Sequence, residues 1–206
     1  MADKERFELP RPGAMIPPTP AVVMGVAGDD KVKDDLTVVW SFVLDGHPPQ
    51  VGVSVGLKSA ISGDLQVALH LLHKHGEFTL NVPDASWIKE FDKIDMCASE
   101  RDDKFARTGL TRLPSQLIEA PGIAEAAIVL ECRVISDHEL KPNRTVFFAD
   151  VVRTTVQEGV TDEDGKLKPE SRDFFGMAAG CGEFWTLGRE VGRIGMTKEE
   201  VEEIRY

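Results

Sequence analysis

The sequence predicts a single, mostly β domain, an antiparallel barrel with peripheral α-helices. Three observations predict it. Strand-like runs recur at short intervals and are broken by Gly and Pro. Residues 34–49, DDLTVVWSFVLDGHPP, are apolar on both faces, as befits a strand packed inside a barrel or between sheets. Residues 127–136 alternate cleanly, with Ile128, Leu130, Cys132 and Val134 on one face and Glu131 and Arg133 on the other.

Residues 1 to about 20 carry Pro10, Pro12, Pro17, Pro18 and Pro20 and read as an extended lead-in. Residues 21–27 form a short apolar strand that stops at Gly28, Asp29 and Asp30. In the next strand Leu36, Val38, Trp40, Phe42 and Leu44 point one way, and Thr37, Val39, Ser41 and Val43 the other. Pro48 and Pro49 cannot donate to a ladder, so they mark the corner before a second strand, QVGVSVG, over residues 50–56. Residues 64–75 read as a helix with Asp64 as N-cap, Leu65, Leu69 and Leu72 at helical spacing, and Gly76 at the stop.

A strand over 78–82 ends at Pro83, and short helices and loops fill 84–120. After the alternating strand, residues 145–157 form a long strand with apolar residues on both faces. Asp164-Gly165 signals a turn. Residues 176–195 are rich in Gly and aromatics, and Thr197 to Glu200 make a capping box for a terminal acidic helix. No linker divides the chain, so residues 1–206 are expected to form one domain with its core over about 15–195.

Charge bounds the function. The formal net charge is -11 and the isoelectric point near 4.9, which argues against nucleic-acid or anionic-membrane partners. The N-terminal MADKERFELPRPG is charged and lacks the apolar segment of a secretory signal. No apolar run is long enough to cross a bilayer. Cys97, Cys132 and Cys181 form no Cys-x-x-Cys pair, so neither zinc nor a disulfide framework is expected. A reducing cytoplasm fits best. His70 and His73 share a helix face, but no third ligand stands at metal spacing, so no metal is expected. No Ser-His-Asp or Cys-His arrangement is readable, and no catalytic side chain is assigned.

The loop over 54–63, SVGLKSAISG, is a candidate anion site. Lys58 offers charge, Ser54, Ser59 and Ser62 offer hydroxyls, and Gly56 and Gly63 let backbone amides approach. Such a loop, taken alone, is more often a solvated turn.

Three segments together resemble one family. Asp34, Asp35, Leu36, Thr37, Val38, Val39, Trp40 and the following Pro-Pro are similar to an Asn-x-Met-Thr-x-x-Trp strand that runs into Pro-Pro. Asp103-Lys104-Phe105, Gly109-Leu110-Thr111, Ala120-Pro121 with Ile123, and Glu131-Cys132 follow the same family's order. The closing DFFGMAAGCGEFWTLG, with Phe174, Phe175, Phe184 and Trp185, resembles its aromatic and glycine-bearing end. The family is that of the flavin reductase-like proteins, which bind FMN in a split β-barrel, and the similar subgroup is flavoredoxin.

The resemblance implies a split barrel, non-covalent FMN, and a homodimer that completes the flavin pocket. It places ring and ribityl contacts along Asp34, Thr37, Trp40 and Ser41. Taken alone, Trp40 reads as core. It gives Lys104 a role beside the flavin and lets Phe174, Phe175, Phe184 and Trp185 cover the flavin or the dimer interface. Asp34 stands where the family has Asn, Arg144 stands where it tends to have His, and the loop after Ser54 is longer. Arg144 brings a permanent cation for the flavin phosphate or the nicotinamide donor, or is a solvated turn residue. The implied activity is transfer of a hydride from NADH or NADPH to the flavin. The alternative is a flavoredoxin-like carrier that holds FMN and takes electrons from a protein partner.

Overall fold

A computed structural model describes residues 6, 8–58, 63, 65–97, 103–194 and 196. Its strands are β1 (Thr19–Val26), β2 (Asp35–Gly46), β3 (Pro49–Gly56), β4 (Glu77–Val82), β5 (Arg112–Leu113), β6 (Gly122–Ile123), β7 (Ile128–Leu140), β8 (Arg144–Val156), β9 (Phe175–Ala178) and β10 (Glu183–Thr186). Its helices are α1 (Val67–His75), α2 (Ile88–Met96) and α3 (Lys104–Thr108). The main sheet runs β10-β9-β1-β2-β3-β8-β7-β4, and a further pairing of β1 with β4 closes six antiparallel strands into a barrel.

Period-2 alternation divides the burial. On β1, Val22, Met24 and Val26 join Val39, Val53, Val55, Phe78, Leu80, Phe147 and Ala149 in one core, which α1 completes with Ala68, Leu69, Leu71 and Leu72. The alternate residues Ala21 and Val23 join Leu36 in a second core with Phe91 and Ile94 of α2 and Phe105 of α3. β1 and the first half of β2 are therefore packed on both faces, as a barrel wall beneath helices requires.

The second half of β2 departs from expectation. Val43 is 77% exposed, and Phe42 and Leu44 are also open to solvent. The β2–β3 hairpin turns at His47 and Pro48, and its exposed end lies beyond the two buried cores. Phe42 lies across Gly52 instead, where any Cβ would collide with its ring.

Helix boundaries follow local chemistry. α1 begins at Val67 rather than near Asp64, which lies outside the described residues, and Leu65 is exposed. Gly76 closes it at φ 66°, its N–H donating to Leu72 O at 2.9 Å. In α3 the Asp103 side chain caps the Ala106 N–H at 3.1 Å, and Gly109 closes the helix at φ 77°. The 197–200 capping box lies outside the described residues.

A buried polar knot fixes the connection between β6 and the barrel. Asn81 Nδ2 donates to Val23 O and Thr79 Oγ1, each at 3.0 Å, and its Oδ1 accepts from Ile123 N at 2.8 Å. Thr79 Oγ1 donates to Pro121 O at 2.7 Å. The Ala-Pro-x-Ile stretch is thereby tied to β4 and β1.

Candidate functional site

A cavity of about 280 Å³ lies between the wall formed by β1, β2, β3 and β8 and the cover formed by α2 and the β9–β10 hairpin. β2 supplies its floor through Thr37, Val38, Val39 and Trp40. The strand register brings neighbours into line: Trp40 is opposite Ala21 of β1 on one side and Ser54 of β3 on the other. Gly56, two residues past Ser54, pairs with Arg144 at the start of β8. Four consecutive strands of the sheet thus deliver their residues to one place.

The cationic side of the cavity is built where β3 ends and β8 begins. Arg144 Nη1 donates to Ser54 O at 3.2 Å and Ser54 Oγ at 3.4 Å. Leu57 N donates to Asn143 O at 2.7 Å, and Gln66 N donates to Leu57 O at 3.0 Å. Lys58 and Leu65 form a bridge across the mouth of that loop. Lys58 and Arg144, two cations far apart in sequence, therefore line the same cavity with Gly56 and Gln66.

Helix α2 and the β9–β10 hairpin make the remaining wall with Phe91, Asp92, Asp95, Met177 and Phe184. Phe91, Phe175 and Phe184 meet edge to face, with centroids 5.3 to 5.6 Å apart. Desolvation, opposed by Lys104 and reinforced by Asp92, raises the pKa of the Asp95 carboxyl. The cavity therefore has a basic side, an apolar and aromatic surface, and two carboxylates on α2.

Of the residues expected at a ligand site, Thr37, Trp40, Gly56, Lys58 and Arg144 line this cavity. Ser54 stands behind Arg144 and orients it. Ser41 pairs with Val53 and is not among the lining residues. Ser59 and Ser62 lie outside the described residues.

Three residues are placed elsewhere. Asp34 faces a separate surface cleft, where Oδ1 accepts from Gly28 N at 2.9 Å and Oδ2 from Arg112 Nε at 3.1 Å. Phe174 is buried against Ala127 and Val160 in a small third core, because its backbone pairs with Asp84 away from the cavity. Lys104 is neither a surface lysine nor a lining residue. It is 3% exposed and turns inward to Asp35 and Leu36.

Sequence reasoning missed Gln66, Phe91, Asp92, Asp95 and Met177. Phe91 and Ile94 recur at helical spacing and mark an apolar face of α2, but nothing in that spacing says which cavity the helix walls.

Residues 16–170 match the family model described as "Flavin reductase like domain". The chain belongs to the flavin reductase-like family. Family membership agrees with the barrel, and with flavin as the class of ligand. An uncharacterized protein of Archaeoglobus fulgidus is 27% identical over 161 residues, covering 78% of this chain and 84% of that protein. The flavoredoxin of Desulfovibrio vulgaris (Miyazaki F) superposes with a TM-score of 0.81 at 22% identity, over 94% of this chain and 100% of that one. A flavoredoxin from Methanosarcina acetivorans gives the same score and identity over 96% of this chain and 100% of that one. These superpositions establish the split-barrel fold.

Within the family frame, the sequence motifs sort into two kinds. The Thr-x-x-Trp strand meets the cavity directly. The Asp-Lys-Phe and Glu-Cys motifs build the scaffold: Phe105 fills the second core, and the Glu131 carboxylate accepts from Gln116 N, Leu117 N and Arg153 Nη1. Burial pushes the Glu131 pKa up, but those donors and the Arg153 charge outweigh it and hold the carboxyl below its ordinary range.

Proposed function

We propose that this chain binds FMN non-covalently in the cavity and acts as an NAD(P)H-dependent flavin reductase. One observation carries the reading: the cavity combines two cations and a glycine backbone with an apolar floor and an aromatic wall. A phosphate matches Lys58, Arg144 and the Gly56 region. A flat ring matches the surface formed by Trp40, Val39, Phe91 and Phe184. Thr37 and Gln66 offer polar groups for the ring edge or the ribityl chain.

A bound flavin would supply the redox chemistry, hydride transfer from a nicotinamide. The protein's part is to orient and to exclude water. Arg144, held by Ser54, fixes the anionic end. Trp40 and Phe184 would flank the flavin ring. The cations also favour a flavin that has gained negative charge. No side-chain nucleophile enters this scheme.

A cavity of about 280 Å³ is small for a whole nucleotide. A second copy of the chain covering the open side would enlarge the site, so the functional unit in this reading is a homodimer. The exposed Phe42, Val43 and Leu44 and the exposed Trp185 supply apolar surface for it. No described helix is long and apolar enough to cross a membrane. A cytoplasmic location is part of the same reading, supported by cysteines that are all free.

The second reading is a flavoredoxin-like carrier with bound FMN and a redox protein as electron donor. The superposition on flavoredoxins favours it. Purified protein titrated with FMN and then mixed with NADH or NADPH separates the two. Rapid bleaching of bound flavin by either nucleotide supports the reductase and rules out the pure carrier. Failure to bind FMN removes both.

A further inference from the structure

Lys104 and Asp35 form an ion pair buried from solvent, and neither lines the cavity. They are 3% and 1% exposed, with Nζ 3.2 Å from Oδ1. Lys104 Nζ also donates to the Leu36 carbonyl at 2.5 Å. Neither Asp35 oxygen has an aligned hydrogen-bond donor, so the ammonium is its counter-charge and little else holds it.

A buried ion pair is a poor route to stability, since apolar residues of similar volume often serve as well or better. What this pair holds is the start of β2. Lys104 opens α3, a short helix capped at both ends and tied further by Thr108 Oγ1, which donates to Lys104 O at 2.7 Å. Its side chain is a strut from that helix to Asp35 and Leu36. On the outside of the same strand entry, Arg112 joins Asp34 at 3.1 Å to Asp103 at 3.4 Å. Both faces of the entry are thus bound to the N-terminus of α3, and the next residue along is Thr37, on the cavity floor.

We propose that Lys104 is a positioning residue: it fixes the entry of β2, and through it Thr37 and the cavity floor, without touching the flavin. This rests on the FMN-binding reading and assigns a role to a residue that does not line the cavity.

The test is FMN titration of wild type, Thr37→Val, Lys104→Met and the Thr37→Val/Lys104→Met double variant. It is joined to hydrogen exchange of the protein without added FMN. Each single change is expected to weaken FMN binding ~10-fold, and the double variant little more than either, because contacts that act through one another are not additive. Lys104→Met is also expected to speed exchange over residues 35–40 and leave residues 145–155 unchanged. Multiplying losses, ~100-fold for the pair, mean independent contact with the ligand and overturn the proposal. Unchanged exchange over 35–40 overturns it as well.

Should Lys104→Met not fold, Asp35→Asn/Lys104→Met removes both charges together. It is expected to fold and still bind FMN weakly, and wild-type affinity there refutes the strut. A wild type that binds no FMN defeats the functional reading, while the exchange arm still decides the mechanical claim.

Discussion

Replacing Arg144 with Ala tests the anionic end of the site against a ligand that lacks the anion. Arg144 is solvent-exposed and commits Nη1 to Ser54. A guanidinium carries five N–H donors, so others remain to face a phosphate. A charge-assisted hydrogen bond contributes about 1.5–3 kcal/mol when shielded. Exposure and salt reduce that to about 1–2 kcal/mol here. The expected loss is therefore ~5- to 30-fold in FMN affinity. Riboflavin has the same ring and ribityl chain but no phosphate, and its affinity should hardly change. Fluorescence titrations of both ligands at low and moderate ionic strength provide the assay. The gap between FMN and riboflavin should shrink as salt rises. Equal losses for the two ligands, or none for FMN, would refute the placement of the phosphate beside Arg144.

Other expectations concern the scaffold. Asn81→Ala deletes three bonds of a fully buried side chain and orphans the Ile123 N–H, so the loss should be about 2–4 kcal/mol by urea unfolding, and a loss below about 1 kcal/mol would contradict the knot's role. Glu131 has a depressed pKa in the folded state, so its contribution is present above the unfolded carboxyl range and is lost as pH falls through the folded value. Arg153→Met should move that acid loss to higher pH, and an unmoved acid-unfolding midpoint counts against it. Burial, with help from Glu131, pushes the Cys132 thiol up to about 12. A thiol reagent at mild pH should therefore label exposed Cys181 in the native protein and reach Cys132 only on unfolding, whereas early labelling of Cys132 by mass spectrometry would show the burial to be wrong.

Sequence pattern carried the barrel further than it carried the site. The doubly apolar start of β2 reports its burial. Alternation along residues 128–134 marks the strand but not its exposure. Glu131, on the polar side of that pattern, is buried, and so is Val129, because both faces of β7 are covered here. β2 is exposed beyond Ser41 despite its apolar sequence, because apolar side chains look alike whether helices cover them or not. Thr37 and Trp40 line the cavity as the family motif implies, although the strand period alone puts them on opposite faces. Lys58 and Arg144 converge only because β3 pairs with β8, a register that no local motif states. Phe174 and Phe184 were indistinguishable as aromatics in a glycine-rich tail. Their separation depends on which residue faces α2 and which faces Val160. The family motif puts Lys104 beside the flavin, but its environment is set by Asp35, a partner that no local pattern selects.

The order of strands around the barrel also fixes when the protein can be finished. β1, β2, β3 and β4 are made first, and β1 can pair with both β2 and β4 early. That leaves one edge of β3 and one edge of β4 unpaired. Both wait for β7 and β8, which pair with each other and then with β4 and β3. The β7–β8 hairpin is a keystone that fills a single gap from both sides. A nascent chain on the ribosome carries two open strand edges until that hairpin emerges, and such edges are templates for mispairing with other chains. Synthesis of the segment up to Ile128 is therefore the interval over which both edges stay open.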